Sequence, residues 1–184
     1  MAHLTLNNSD FISGMSFATN DRVNELLASA AHRSVVLYPG AGSVNLTTAD
    51  DSEKKQLMPP GDQKLLIFVI DGTWATAGKM LRRSPGLQSL PRICFTPPHP
   101  SRFRVRKQPS PQCFSTIEAI HHTINLLGES AGFDVSSRRH DALLTAFDWM
   151  VERQLSFLEE ALERPRPDQY RRPRLRVRPF DSAL

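Results

Sequence analysis

Cysteine is almost absent from this chain. The two present, Cys94 and Cys113, stand in no C-x-x-C or C-x-H pair. No zinc site built from this chain is therefore expected, and reduced thiols in a cytoplasmic protein are. A targeting segment is also missing, because residues 1–11 are polar and hold no apolar block behind a charged start. The longest apolar run, Leu65 to Ile70, is far short of the roughly 20 residues a bilayer requires, so a soluble protein is expected. There are no internal repeats. Ser115 has no G-x-S-x-G context and no evident triad, which argues against a hydrolase. His121 and His122 are neighbours on one helix and point two ways, a poor arrangement for a metal.

What remains is ordinary globular material with an uneven charge. A chain of 184 residues, 40% apolar and 23% charged, suits one domain with its own core. We read residues 1–163 as that domain and 164–184 as a basic tail. The net charge of +4 hides an asymmetry: two segments hold eleven of the 23 basic residues. Ser101 to Lys107 carries Arg102, Arg104, Arg106 and Lys107, and Arg164 to Arg178 carries seven arginines against Asp168 alone. The rest of the chain has 12 basic and 18 acidic residues. A basic stripe on an acidic body suits a polyanion, since phosphate contacts release counterions. The plain alternative is a solvated face that only aids solubility.

Along the chain, Leu4 to Phe17 reads as short extended pieces broken at Asn7-Asn8, and Asn20-Asp21 opens a short helix. Ser34 to Tyr38 reads as a buried strand ended by Pro39-Gly40, and Ala41 to Gly61 as mostly loop. Leu65 to Ile70 does not alternate, so both of its faces should be covered, as in a parallel sheet flanked by helices. A helix follows from Trp74 to Arg83, stopped by Pro85-Gly86. Arg92 to Phe95 is a further strand, and the five prolines between Thr96 and Pro111 make a stiff loop. Phe114 to Leu127 is a helix with an S-x-x-E capping box at Ser115 and Glu118. The last helix runs from about Ser137 to Glu163, with Leu143, Phe147, Met150, Val151, Leu155, Leu158 and Leu162 on its core face. Strands alternating with helices predict an α/β fold with a mostly parallel sheet.

In such sheets ligands bind at the carboxyl ends of the strands. Three segments lie there: Tyr38-Pro39-Gly40, Asp71-Gly72-Thr73, and the loop after Phe95. Asp71 can accept a proton or a ligand hydroxyl, or simply cap the helix that follows, a role Thr73 could also take. Ser115 and Glu118 carry the same ambiguity: a capping box explains them without function, yet a basic loop leads into that helix N-terminus, a natural anion site. Arg102, Arg104 and Arg106 alternate with Phe103 and Val105, so an extended loop would be cationic on one side and apolar on the other. Phe103 could stack on a base or pack into the core.

These residues resemble a known family. Asp71-Gly72-Thr73-Trp74 matches the D-x-T-W signature of the DTW-domain family. Pro91-Arg92, then Pro100-Ser101-Arg102-Phe103-Arg104-Val105-Arg106-Lys107-Gln108-Pro109 and Ser115-Thr116-Ile117-Glu118-Ala119, follow its second motif, P-S-x-Y-x-I/V-R-x-x-P…S-T-x-E-A. Val35 to Gly40 and Phe147 to Phe157 also resemble family segments, and the likeness runs over roughly residues 1–160. It implies a SPOUT-like α/β fold, knotted in its C-terminal part, that holds S-adenosylmethionine in the loops after the strands. The implied activity is transfer of the 3-amino-3-carboxypropyl group to N3 of a tRNA uridine, as in bacterial-type members, with methylthioadenosine released.

On this resemblance the cofactor-binding candidates are Leu37, Tyr38, Pro39, Ile70, Asp71, Gly72, Thr73, Ser115, Thr116 and Glu118. Asp71, Thr73 and Trp74 are the catalytic candidates, with Asp71 orienting or deprotonating N3. Arg82, Arg83, Ser101, Arg102, Arg104, Arg106 and Lys107 are the RNA contacts. Relatives usually begin with a cysteine-rich zinc segment and an N-T-[GA]-R stretch before a short helix. Met1 to Leu6 resembles the inside of that helix, so the resemblance leaves the zinc segment, and part of the cofactor pocket, outside these residues. Phe103 stands where relatives often carry Tyr. Two other readings are a non-catalytic RNA-binding protein of the same fold and an S-adenosylmethionine-dependent RNA methyltransferase.

Overall fold

The computed structural model describes residues 1–106, 108–110 and 113–163. Four parallel strands form one sheet: β1 (His32–Leu37), β2 (Val44–Asn45), β3 (Lys64–Val69) and β4 (Arg92–Cys94), in the order β2-β4-β1-β3. Around it lie α1 (Ala2–Thr5), α2 (Asp21–Ala28), α3 (Asp51–Leu57), α4 (Trp74–Arg82), α5 (Pro85–Gln88), α6 (Thr116–Leu127) and α7 (Ala142–Glu163). A 3-10 turn, Arg139–Asp141, leads into α7. No described helix is long and apolar enough to cross a membrane.

Side-chain alternation along the strands sorts the core into two halves. Val36 points to one face, packed with Phe17, Val23, Met80, Leu81 and Leu87 from the N-terminal segment, α2, α4 and α5. Val35 points to the other, with Leu46, Leu57, Ile93 and Leu127. The uniform apolarity of β3 divides the same way: Phe68 joins the first half, Leu65 and Ile67 the second. Both faces of β3 are thus covered, as its composition predicts. It is nevertheless an edge strand and only partly buried, whereas β1, paired on both sides, has Val35 and Val36 fully buried.

Three segments differ from the sequence reading. Ala41 to Gly61 is not mostly loop: it holds β2 and α3, the latter started by a capping box in which Glu53 N donates to Asp50 Oδ1 and Asp50 N to Glu53 Oε2. Leu4 to Phe17 forms no strand; after the one turn of α1 it is irregular, and Phe17 N donates to the buried Ser84 Oγ at 3.0 Å. Finally, α7 begins at Ala142, behind the 3-10 turn, and its core face is covered only in its first half. Leu143, Phe147 and Val151 are buried, but Leu158 and Leu162 are 48% and 77% exposed. A helix of 22 residues is roughly 33 Å long and outruns the body it packs on. The basic tail, 164–184, lies outside the described residues.

Candidate active site

All four strands run the same way, so the segments leaving β1, β3 and β4 emerge at one edge of the sheet. Leu37, Tyr38 and Pro39 leave β1, and Tyr38 N donates to Ile93 O at 3.0 Å, tying that exit to β4. Ile70, Asp71 and Gly72 leave β3 and run directly into α4.

The ambiguity between Asp71 and Thr73 is resolved here. Thr73 is the N-cap: its Oγ1 accepts from Thr76 N at 3.1 Å and pairs with Thr76 Oγ1 at 2.8 Å. Asp71 is released from capping. Its carboxylate is exposed, and Oδ1 accepts from Thr116 Oγ1 at 2.6 Å. Thr116 is the first residue of α6, so the start of α6 meets a carboxylate 45 residues earlier in the chain, just ahead of α4.

Aromatic rings line this site. Trp74 is half-exposed, with its ring centroid 6.2 Å from that of Tyr38. Gly78 keeps α4 open beneath them: a Cβ added there would lie 3.2 Å from the Tyr38 hydroxyl and 3.3 Å from Arg82 Nη1. Arg82 therefore approaches the same helix face as Tyr38, while Arg83 is exposed beyond it.

The second motif builds an anchor. Ser115 caps α6 in a full capping box, with Glu118 N donating to Ser115 Oγ and Ser115 N to Glu118 Oε2. Glu118 is 3% exposed, and its oxygens accept from the basic loop as well: Ser101 Oγ donates to Oε2 at 2.6 Å and Arg102 N to Oε1 at 2.7 Å. A buried carboxylate satisfied by three neutral donors fixes the loop to the helix start. Glu118 thus positions the loop; its oxygens are taken.

That loop turns rather than extends, with Arg106 N donating to Phe103 O at 3.2 Å. The alternation survives even so. Arg102, Arg104 and Arg106 are exposed, and Phe103 and Val105 half-buried. Phe103 takes the packing role, edge-on to Phe147 with centroids 5.4 Å apart. Arg102 pairs with Asp148 at 3.0 Å, and Arg104 with Glu152. The sequence reading missed these acids, although their i, i+4 spacing on a helix was a usable signal. Exposed pairs of this kind are weak, so phosphates can displace the carboxylates. Lys107 lies outside the described residues.

A match to the family model of the DTW domain covers residues 1–155. The chain belongs to the DTW domain family. No solved structure matches it. The DTW domain is associated with tRNA-uridine aminocarboxypropyl transfer, which makes tRNA the substrate class that the family implies. In this DTW domain the signature Asp71 and the Thr116 of the second motif are hydrogen-bonded partners.

The two adjacent histidines of α6 do point two ways. His122 sits among aromatic rings, 4.8 Å from Phe95 and 5.8 Å from Phe114, and its buried Nε2 has no partner among the described residues. His121 Nε2 meets Asp141 Oδ1 at 2.8 Å, and His140 Nε2 meets Asn125 Oδ1 at 2.7 Å. Ligand-capable atoms of His121, His140 and Asp141 lie within 4.8 Å of one another, a grouping that sequence spacing concealed. Asp141 already takes Arg138 Nε at 2.9 Å and Nη2 at 2.8 Å, so the cluster closes on itself as a structural network.

Burial, together with the nearby His121, holds His122 below the ordinary histidine range; His140 is lowered by burial, His121 and Arg138. A histidine lowered in the fold is protonated more readily when unfolded, so its contribution is present above about pH 6.5 and lost as pH falls below it. The thermal unfolding midpoint should therefore fall between pH 7.5 and 5.5, and His122→Leu should flatten that slope. A midpoint independent of pH in this window would contradict the assignment.

Proposed function

We propose that this DTW domain transfers the 3-amino-3-carboxypropyl group of S-adenosylmethionine to N3 of a tRNA uridine in the cytoplasm, releasing methylthioadenosine. The observation that carries the reading is the junction of the two family motifs. Asp71, freed from capping by Thr73, meets Thr116 at the carboxyl edge of the sheet, beside the anchored basic loop. The SPOUT-like, knotted topology implied by the resemblance belongs to the same proposal.

The residues present suit the donor chemically. Tyr38 and Trp74 offer aromatic faces to its adenine, while the starts of α4 and α6 offer N–H groups to its carboxylate. Backbone of Leu37, Pro39, Ile70 and Gly72, with Ser115 close by, completes the enclosure. When bound, the donor supplies a γ-carbon activated by the neighbouring sulfonium. The N3–carbon bond forms as the carbon–sulfur bond breaks, and the N3 proton leaves. In this reading Asp71 takes that proton or orients N3. Arg102, Arg104 and Arg106, with Arg82, Arg83 and Lys107, hold the RNA backbone and so fix the uridine in line, a large part of any such rate gain.

The test is mass spectrometry of unmodified tRNA incubated with the protein and S-adenosylmethionine. A gain of one aminocarboxypropyl group, with methylthioadenosine released, is expected. Adenosylhomocysteine would indicate methyl transfer instead, and retained tRNA without any mass gain would indicate binding alone.

A further inference from the structure

Trp149 is 71% exposed in the middle of a helix whose other side is core. It follows Phe147 by two positions, about 200° around the helix axis, and so faces directly away from the buried face. Beside it lies an open cavity of about 780 Å³, lined by Met1, Arg138, Arg139 and the small side chains Ala142, Thr145 and Ala146. Arg138 is held in place: its backbone is left-handed at φ 54°, and its guanidinium is pinned by Asp141 and by Asn125 Oδ1 at 3.0 Å. Arg139 forms no ion pair among the described residues. On the other flank of Trp149 stand Asp148 and Glu152, the acids that hold Arg102 and Arg104.

We propose that Trp149 is a stacking platform for an unpaired base of the bound RNA, outside the reacting uridine; this rests on the RNA-modifying reading above. An exposed indole beside an open cavity with small side chains in its lining accommodates a flat ring. Arg139 supplies charge for an adjoining phosphate on one side, and on the other Arg102 and Arg104 do so once phosphates displace Asp148 and Glu152. The basic loop ties this face to the active site: Arg102 pairs with Asp148 beside Trp149, and its backbone is bonded to the buried Glu118, two residues along α6 from the Thr116 that meets Asp71. A strand held by Arg102 and Arg104 would thus pass beside Trp149. A protein partner fits less well, because Asp148 and Glu152 are already paired and Arg139, which has no ion pair among the described residues, asks for an anion.

The chain has two tryptophans, Trp74 and Trp149, which permits a direct test. In Trp74→Phe, only Trp149 fluoresces, and an unmodified tRNA transcript is expected to quench it. Trp149→Ala should weaken tRNA binding about tenfold with no change in its salt dependence, and Trp149→Phe should recover most of that loss. Arg139→Gln should instead reduce the salt slope by about one. Unquenched Trp149 and unaltered affinity in Trp149→Ala, with the wild-type protein binding tRNA normally, would overturn the platform and leave the RNA reading standing. A wild-type protein that binds no tRNA would remove the RNA reading and the platform with it. Loss of a dimer in Trp149→Ala, with RNA affinity intact, would reassign the face to a second copy of the chain.

Discussion

Asp71→Asn is expected to slow transfer to tRNA about 10²- to 10⁴-fold, the usual range for loss of a positioned acid–base group, while the fold and tRNA affinity persist. The fold should persist because Asp71 is exposed and caps no helix; that role belongs to Thr73. Its one side-chain bond among the described residues, from Thr116 Oγ1, can be accepted equally by the Asn oxygen. The substitution removes charge and basicity and little else, so the unfolding midpoint should stay within a few degrees. The measurement is a single-turnover rate at saturating tRNA, with thermal unfolding run on the same sample. A rate within threefold of wild type would withdraw Asp71 from the chemistry. Thr116→Val tests the same junction from the other side. It leaves the carboxylate in place without its partner and should cost less in rate than Asp71→Asn.

Glu118→Ala should have the largest effect on stability. Its buried carboxylate accepts from Ser101 Oγ, Arg102 N and Ser115 N, three donors stranded by its removal. Bonds to a charged group contribute more than neutral ones, and a loss of about 3 kcal/mol is expected by denaturant titration. The same change unties the basic loop from α6, so tRNA affinity at low salt should drop about tenfold, because arginines on a free loop must be ordered on binding. Should Glu118→Ala fail to fold, Ser101→Ala keeps the question open to measurement. It removes one donor and should weaken tRNA binding with a much smaller loss of stability. Wild-type affinity in both variants would show that the loop needs no anchor.

Much of this was legible in the residues alone. Asp71-Gly72-Thr73-Trp74 and Ser115-Thr116-Ile117-Glu118-Ala119 were enough to point to the DTW-domain family, and the family-model match bears the family out. The parallel sheet, the helix after Thr73 and the capping box at Ser115 were equally readable, because strands, caps and turns are decided by groups within a few residues of one another. By the same rule α3 was readable, since Asp50 and Glu53 form the pattern that Ser115 and Glu118 form; the prolines at 59 and 60 drew the reading toward loop.

The tertiary structure decided the rest. It gave the cap to Thr73 and left Asp71 to Thr116, put the most apolar strand at the sheet edge, and set Arg102 and Arg104 against acids 46 and 48 residues away. It also turned Trp149 outward and left Leu162 uncovered. Local sequence specifies which groups can cap, pair or bury. Which of them do so depends on side chains far along the chain, brought close only when both faces of the sheet have been packed.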